Sequence, residues 1–259
     1  MCALPIILGF VVPAGILLDY AVLYFDQSFS VEYFEFARNS LLLSGTSACA
    51  AVMVGLFLAY AMRIGGGKVL NSAARLASVG YAVPGAVLAV GVLVPFARFD
   101  NGVDAVMRST FDVSTGLLLS GTVFALVFAY VVRFLAVGMG GVEASLAKVT
   151  KNMDDAARTL GHGPWATLKR VHLPMIRSGI LGGAVLVFVD TMKELPATLI
   201  LRPFNFDTLA TFVYQYASDE RLAESALGAL TIVAAGVIPV LMLSRAISTA
   251  RPGHAGEDN

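Results

Sequence analysis

The sequence predicts an all-α integral membrane protein with six transmembrane helices, and three observations carry that prediction. Of its 259 residues 57% are hydrophobic and only 14% are charged, where a soluble domain carries about 25% charged residues, and the mean hydropathy is +0.77. The apolar residues come in six long blocks, each near the roughly 20 residues a helix needs to cross the hydrocarbon core. Alternating segments of about ten residues, the mark of a transmembrane barrel, are missing. The 18 Lys+Arg balance the 18 Asp+Glu, so no basic excess exists to hold a nucleic acid. The two cysteines, Cys2 and Cys49, make no disulfide framework.

The blocks fall at residues 3–25, 41–62, 76–97, 117–138, 179–200 and 225–245, within a single transmembrane domain covering 1–259. Helices satisfy their own backbone groups and so tolerate lipid. The first block lacks a basic start and runs into Asp19-Tyr20 rather than a small-residue cleavage site, so it does not read as a signal peptide. Tyr20, Tyr24 and Phe25 suit an interfacial aromatic belt. Loop charge then sets orientation. Arg63, Lys68 and Arg75 follow the second block without an acid. Lys148, Lys151, Arg158, Lys169, Arg170 and Arg177 lie between the fourth and fifth, and Arg245 and Arg251 at the end. The opposite loops dilute their basic residues with Asp26, Glu32, Glu35, Asp100, Asp219 and Glu220. Basic loops stay cytoplasmic, so both termini are expected in the cytoplasm, with the spans surrounded by lipid.

The segment 139–178 is too long for a structureless connection. Leu146, Val149, Met153, Ala156 and Leu160 recur at helical spacing. Gly161 offers a stop, and Gly163-Pro164 a new start where a missing N–H costs nothing. Trp165, Leu168 and His172 are expected on one face of a second helix, which Pro174 ends. This predicts a cytoplasmic helix-turn-helix that serves as a docking surface.

Asp155-Ala156-Ala157, three residues, Gly161, nine residues, then Val171-His172-Leu173-Pro174 resembles the EAA motif of bacterial ABC-importer permeases of the MetI-like family. The departures, Asp for Glu at 155 and Val for Ile at 171, are conservative. The resemblance implies that this loop couples the membrane helices to a cytoplasmic ABC ATPase dimer, with Asp155, Ala156, Ala157, Gly161, Trp165, Leu173 and Pro174 at the contact. Gly65-Gly66-Gly67-Lys68 is no phosphate loop, because Val69 follows the lysine where Ser or Thr is required. ATP and magnesium therefore belong to the partner ATPase. This chain is expected to bind no cofactor and to have no catalytic residue.

Asp190, Lys193, Glu194 and Pro196 lie in the fifth block. Asp190 sits about 16 Å along from Gly179, near the midplane, and 190, 193 and 194 would share a sector of about 100° on a continuous helix. Charges at that depth face a partner or a water-filled path. Either they form a structural charge network, or this face lines the translocation route or its gate. Pro196 fits an interrupted helix near a site.

Lys193-Glu194-Leu195-Pro196, Leu201-Arg202-Pro203-Phe204, Asp207-Thr208-Leu209-Ala210-Thr211 and the run from Tyr214 to Arg221 resemble the ferric-iron branch of these permeases. That resemblance implies Fe(III) import from a periplasmic binding protein. Carboxylates such as Asp190 and Glu194 suit transient contact with a hard cation. Related branches carry thiamine, polyamines or phosphonates. The ferric permeases look like two fused six-helix halves. This chain looks like the C-terminal half, which implies a second transmembrane half. An ion-coupled secondary transporter, with Asp190 and Glu194 relaying protons, and an intramembrane enzyme are the alternatives. The coupling loop favours the ABC importer over the secondary transporter, and against the enzyme stands the lack of a nucleophile–base pair on a defined spacing.

Overall fold

Ten helices succeed one another in the computed structural model, which describes residues 3–249, with side chains as far as Arg245. They are α1 (Ala3–Leu23), α2 (Val31–Gly65), α3 (Lys68–Ser78), α4 (Gly85–Phe111), α5 (Val123–Leu146), α6 (Lys151–Thr159), α7 (Pro164–Met192), α8 (Pro196–Leu201), α9 (Leu209–Ser218) and α10 (Leu222–Thr249). A single turn, Phe25–Ser28, links α1 to α2. No strand occurs among the described residues. Six helices, α1, α2, α4, α5, α7 and α10, are long and apolar enough to cross a membrane, as the composition requires. Cys2, Arg251 and His254 lie outside the described residues.

Two of the expected spans move. The third begins at Gly85 and not at 76, because 68–78 folds as the separate amphipathic helix α3. The fifth is Pro164–Met192 and not 179–200. Pro196 explains its end: without an N–H, and with a ring that would strike the Met192 carbonyl, it cannot continue the helix. It sits instead at the first position of α8. Pro174, in contrast, does not end a helix. Leu168–His172 is a π turn in which the Leu173 N–H bonds to the Leu168 carbonyl. This wider turn lets the helix run through a proline that would otherwise break it. With α5 reaching Leu146 and α7 starting at Pro164, the loop expected over 139–178 shrinks to α6 and its short flanks.

The contacts divide the chain into two compact units. The first comprises residues up to Gly45, Pro84–Ala129 and Thr191–Val237. Here α8 packs on α4. The start of α2 is pinned to the α9–α10 region by hydrogen bonds: Tyr33 Oη to Thr231 Oγ1 at 2.6 Å, Asn39 Nδ2 to the Asp207 carbonyl at 3.1 Å, and the Leu209 N–H to Ser40 Oγ at 2.8 Å. Asp100 is buried in α4 and accepts from the Ser120 hydroxyl at 2.6 Å and the Ser120 N–H at 2.8 Å, which fixes the turn before α5.

The second unit comprises Thr46–Val83, Tyr130–Asp190 and the chain from Ile238. Its core joins Val52 and Ala59 of α2, Ala74 of α3, Met139, Val142 and Leu146 of α5, Val149, and Ile176 of α7. Glycines let the helices approach closely, as membrane helices do where lipid supplies no hydrophobic contrast. A Cβ on Gly141 would lie 2.7 Å from the Gly179 carbonyl oxygen and 3.0 Å from Gly183 Cα, and one on Gly55 2.9 Å from Met139 Cα.

Candidate functional site

The motif-bearing loop is built in the second unit by α2, the end of α5, α6 and the start of α7. The last turns of α2 hold all of it. Arg63 donates to the carbonyls of Leu146 and Val149 at 2.8 and 2.9 Å, closing the C-terminal end of α5. It also donates from Nε and Nη2 to Asp154 Oδ2 at 3.1 and 2.9 Å. One turn earlier, Tyr60 Oη donates to the Pro164 carbonyl at 2.5 Å, which seats the start of α7. The second oxygen of Asp154 meets Nε2 of His172 at 2.7 Å. His172 is only 2% exposed. Facing a carboxylate, Nε2 carries the ring proton and donates it. Asp154 thus ties α2 to the π turn of α7 through two charge-assisted contacts.

Gly161 makes the bend. Its φ is +78°. The His162 N–H bonds to the Ala157 carbonyl at 3.0 Å and the Gly161 N–H to the Arg158 carbonyl at 2.9 Å, the paired closure of a Schellman cap. No atom lies within 4 Å of a Cβ placed there, so glycine is required by the backbone angle and not by space. Gly161→Val should strain the turn by about 1–2 kcal/mol, whereas Gly161→Asn should cost less, since Asn tolerates the left-handed region. Hydrogen exchange at the His162 amide measures this. Equal protection in all three chains would refute the reading.

The expected contact residues separate into two groups. Asp155 and Ala156 are exposed, with Asp155 at 4.0 Å from Arg158, and Ala157 is buried beneath them. Met153, Leu160 and Trp165 are 39%, 75% and 74% exposed, an apolar set around the bend. Trp165, in the first turn of α7, is exposed, whereas Leu168 and His172 are buried. Leu173 is half-buried and Pro174 exposed at the end of the π turn.

The intramembrane charges are arranged differently from the expectation. α7 stops at Met192, so Lys193 and Glu194 leave the helix and the common 100° sector with Asp190 does not form. Asp190 is half-buried in the last turn of α7, Lys193 is exposed, and Glu194 is 8% exposed. Glu194 Oε1 accepts from the Ala197 N–H at 3.4 Å, and its carbonyl accepts from the Thr198 hydroxyl at 2.5 Å, so it closes the start of α8. Pro196 does mark an interrupted helix. Among the described residues, no group of three or more His, Cys, Asp or Glu side chains is close enough to hold a metal ion.

Sequence reasoning missed Asp154, Arg63 and Tyr60. Arg63 counted only as a loop charge, and its partner lies 91 residues away, beyond any local pattern. In the 202–224 segment, Arg202 pairs with Asp207. Arg221 donates to Glu224 at 2.8 Å and covers the Tyr216 ring at 4.6 Å. The hydrogen bond to Glu224 holds the Arg221 guanidinium above its ordinary pKa.

Solved structures share this architecture. A bacterial ABC transporter involved in the import of the acidic polysaccharide alginate matches with a TM-score of 0.71 over 95% of this chain and 91% of that one, at 13% identity. The MetNI methionine ABC transporter, in an inward-facing form, matches at 0.61 over 86% of this chain and 100% of that one, at 16% identity. Among curated proteins, the Fe(3+)-transport system permease protein FbpB 2 of Haemophilus influenzae is 28% identical over 83% of this chain. The putative 2-aminoethylphosphonate transport system permease protein PhnV of Salmonella typhimurium is 25% identical over 79%. The chain spans 39% of the length of FbpB 2 and 70% of that of PhnV. These relatives are permease subunits, which are not themselves enzymes. Residues 51–250 match the model of the binding-protein-dependent transport system inner membrane component, and the chain belongs to that family of multi-pass inner-membrane permeases.

Proposed function

We propose that this chain forms one half of the translocation path of an ATP-driven importer, completed by a second transmembrane half. The α6 loop docks on a cytoplasmic ABC ATPase dimer, which binds the ATP and magnesium. A periplasmic binding protein delivers the substrate, with both termini of this chain in the cytoplasm. One observation carries this reading. The loop is fixed from behind by the Arg63–Asp154–His172 contacts and presents Met153, Leu160 and Trp165 outward. A rigid, apolar knob beside basic residues is what a soluble motor needs in order to push on membrane helices.

Fe(III) is the substrate this reading favours, supported by the FbpB 2 likeness and by the run from Lys193 to Arg221. Glu194 and Asp190, at the interruption after α7, are the acids assigned to the path or its gate, and Fe(III) meets them as passing cargo. The likeness to PhnV, which covers more of that protein's length, favours a phosphonate as the second reading. Proteoliposomes holding the full assembly test both points. Leu160→Asp with Trp165→Asp should abolish co-purification of the ATPase and cut uptake at least tenfold while the chain inserts normally. Wild-type coupling in that variant removes the loop from the mechanism. Uptake with a loaded iron-binding protein, and none with a phosphonate-binding protein, assigns iron. The reverse outcome assigns the second reading.

A further inference from the structure

Helix α3 takes no part in the docking loop, yet it is strongly two-faced. Val69, Ala73 and Leu76 fall on one stripe at i, i+4 and i+7, with Val69 84% and Leu76 75% exposed. Ala74, on the neighbouring side, is 1% exposed and belongs to the core with Met139 and Val142. The helix therefore cannot roll to hide the stripe. Lys68, Ser72 and Arg75 lie on the polar side. Arg75 and Asn71 line a cavity shared with Met62 and with Glu143 of α5, an acid beside this face. No Asp or Glu occurs from 36 to 99.

The tethers decide what covers the stripe. Only Gly66 and Gly67 separate α3 from the end of α2, and six residues separate it from α4. Two residues reach at most about 10 Å between the flanking Cα atoms. Tethers this short keep α3 close to the surface of the membrane that α2 and α4 are long enough to cross. The exposed Val79 and Tyr81 continue the apolar surface, and a tyrosine is an interfacial residue. An apolar stripe beside lysine and arginine, held at that surface, has the form of an in-plane amphipathic helix. We propose that α3 is an anionic-phospholipid contact of the leaflet on the docking-loop side. Val69, Ala73 and Leu76 enter the acyl boundary, and Lys68 and Arg75 attract the phosphate groups. The inference rests on membrane residence and on none of the substrate reasoning above.

The test uses the full chain with Cys2 and Cys49 changed to Ser and a bimane fluorophore on Val69→Cys or Leu76→Cys, in nanodiscs. Brominated phosphatidylcholine or brominated phosphatidylglycerol serves as quencher from the lipid, and iodide from the water. Lipid should quench both probes and iodide neither. Phosphatidylglycerol should associate roughly fivefold more tightly than phosphatidylcholine. Lys68→Gln with Arg75→Gln should bring the two lipids to parity, and Glu143→Gln should raise the preference. Quenching by iodide alone would put the stripe in water. Silence to every quencher would mean that another protein surface covers it. Equal association of the two lipids with the unmodified helix would mean that charge plays no part. Each of these three results overturns the proposal.

Discussion

Asp154→Ala should uncouple the transporter, lowering uptake at least tenfold, while Asp155→Ala should leave the chain's own stability unchanged. The two acids are neighbours with opposite situations. Asp155 is exposed, and its contact with Arg158 in the same helix, at 4.0 Å, is of the solvent-screened kind worth little. Asp154 is 21% exposed, receives two hydrogen bonds from Arg63 and one from a buried His172. Removing it leaves a guanidinium and an imidazole without their acceptor, at about 2 kcal/mol, and should lower the thermal midpoint in detergent by roughly 5 °C. Arg63→Ala should do at least as much, since it also uncaps the carbonyls of Leu146 and Val149. Thermal unfolding of the purified chain, run beside ATPase co-purification, separates the roles. A fall in both for Asp154→Ala supports the clamp. Unchanged midpoints for Asp154→Ala and Arg63→Ala would show that the contacts hold nothing.

Gly141→Val should be severely damaging, and Gly140→Ala, one residue away, should be harmless. The walls around Gly141 are the backbone of Gly179 and Gly183, which cannot swing aside as a side chain does. Seating a branched side chain there means driving α5 and α7 apart across the core that carries the loop. A cost of about 3 kcal/mol or more is expected, with loss of most folded protein. Gly179→Val should behave the same way, because its Cβ would meet Ser145 and the Gly141 carbonyl. Gly140 has nothing within 4 Å, so alanine there should be neutral or gain up to about 1 kcal/mol from helix propensity. Size-exclusion profiles and midpoints of the three variants give the comparison. Equal behaviour of Gly140→Ala and Gly141→Val would mean that the close approach is not needed.

The helical class and the six crossings were legible because lipid imposes a crude rule, long apolar blocks, on the sequence. The bend at Gly161 was legible too, since glycine reports a backbone angle directly. The span boundaries were less so. Hydropathy cannot tell an amphipathic surface helix such as α3 from the start of the next span, and α7 begins in a segment whose polarity reads as loop. Pro196 and Pro174 show the limit most plainly. Both are prolines near the fifth span, and only one breaks it, because the other follows a π turn that nothing in the local pattern announces. The loop was legible as a motif, but the group that fixes it was not. Arg63 and Asp154 come together only once α2 and α6 are packed, and a charge counted for topology carries no mark of its partner.

The π turn also fixes a phase. Along a regular helix each residue advances about 100°, so the direction in which the cytoplasmic tip points is locked to the direction in which each membrane-facing residue points. A wider turn at Leu168–His172 resets that relation once, between Trp165 above it and Ile176 below it. The tip and the shaft of one continuous helix can then be aimed separately: the first turn outward from the loop, the remainder into the packed glycine seam. The Leu-Pro pair that closes the motif marks the place where the two directions are set against each other.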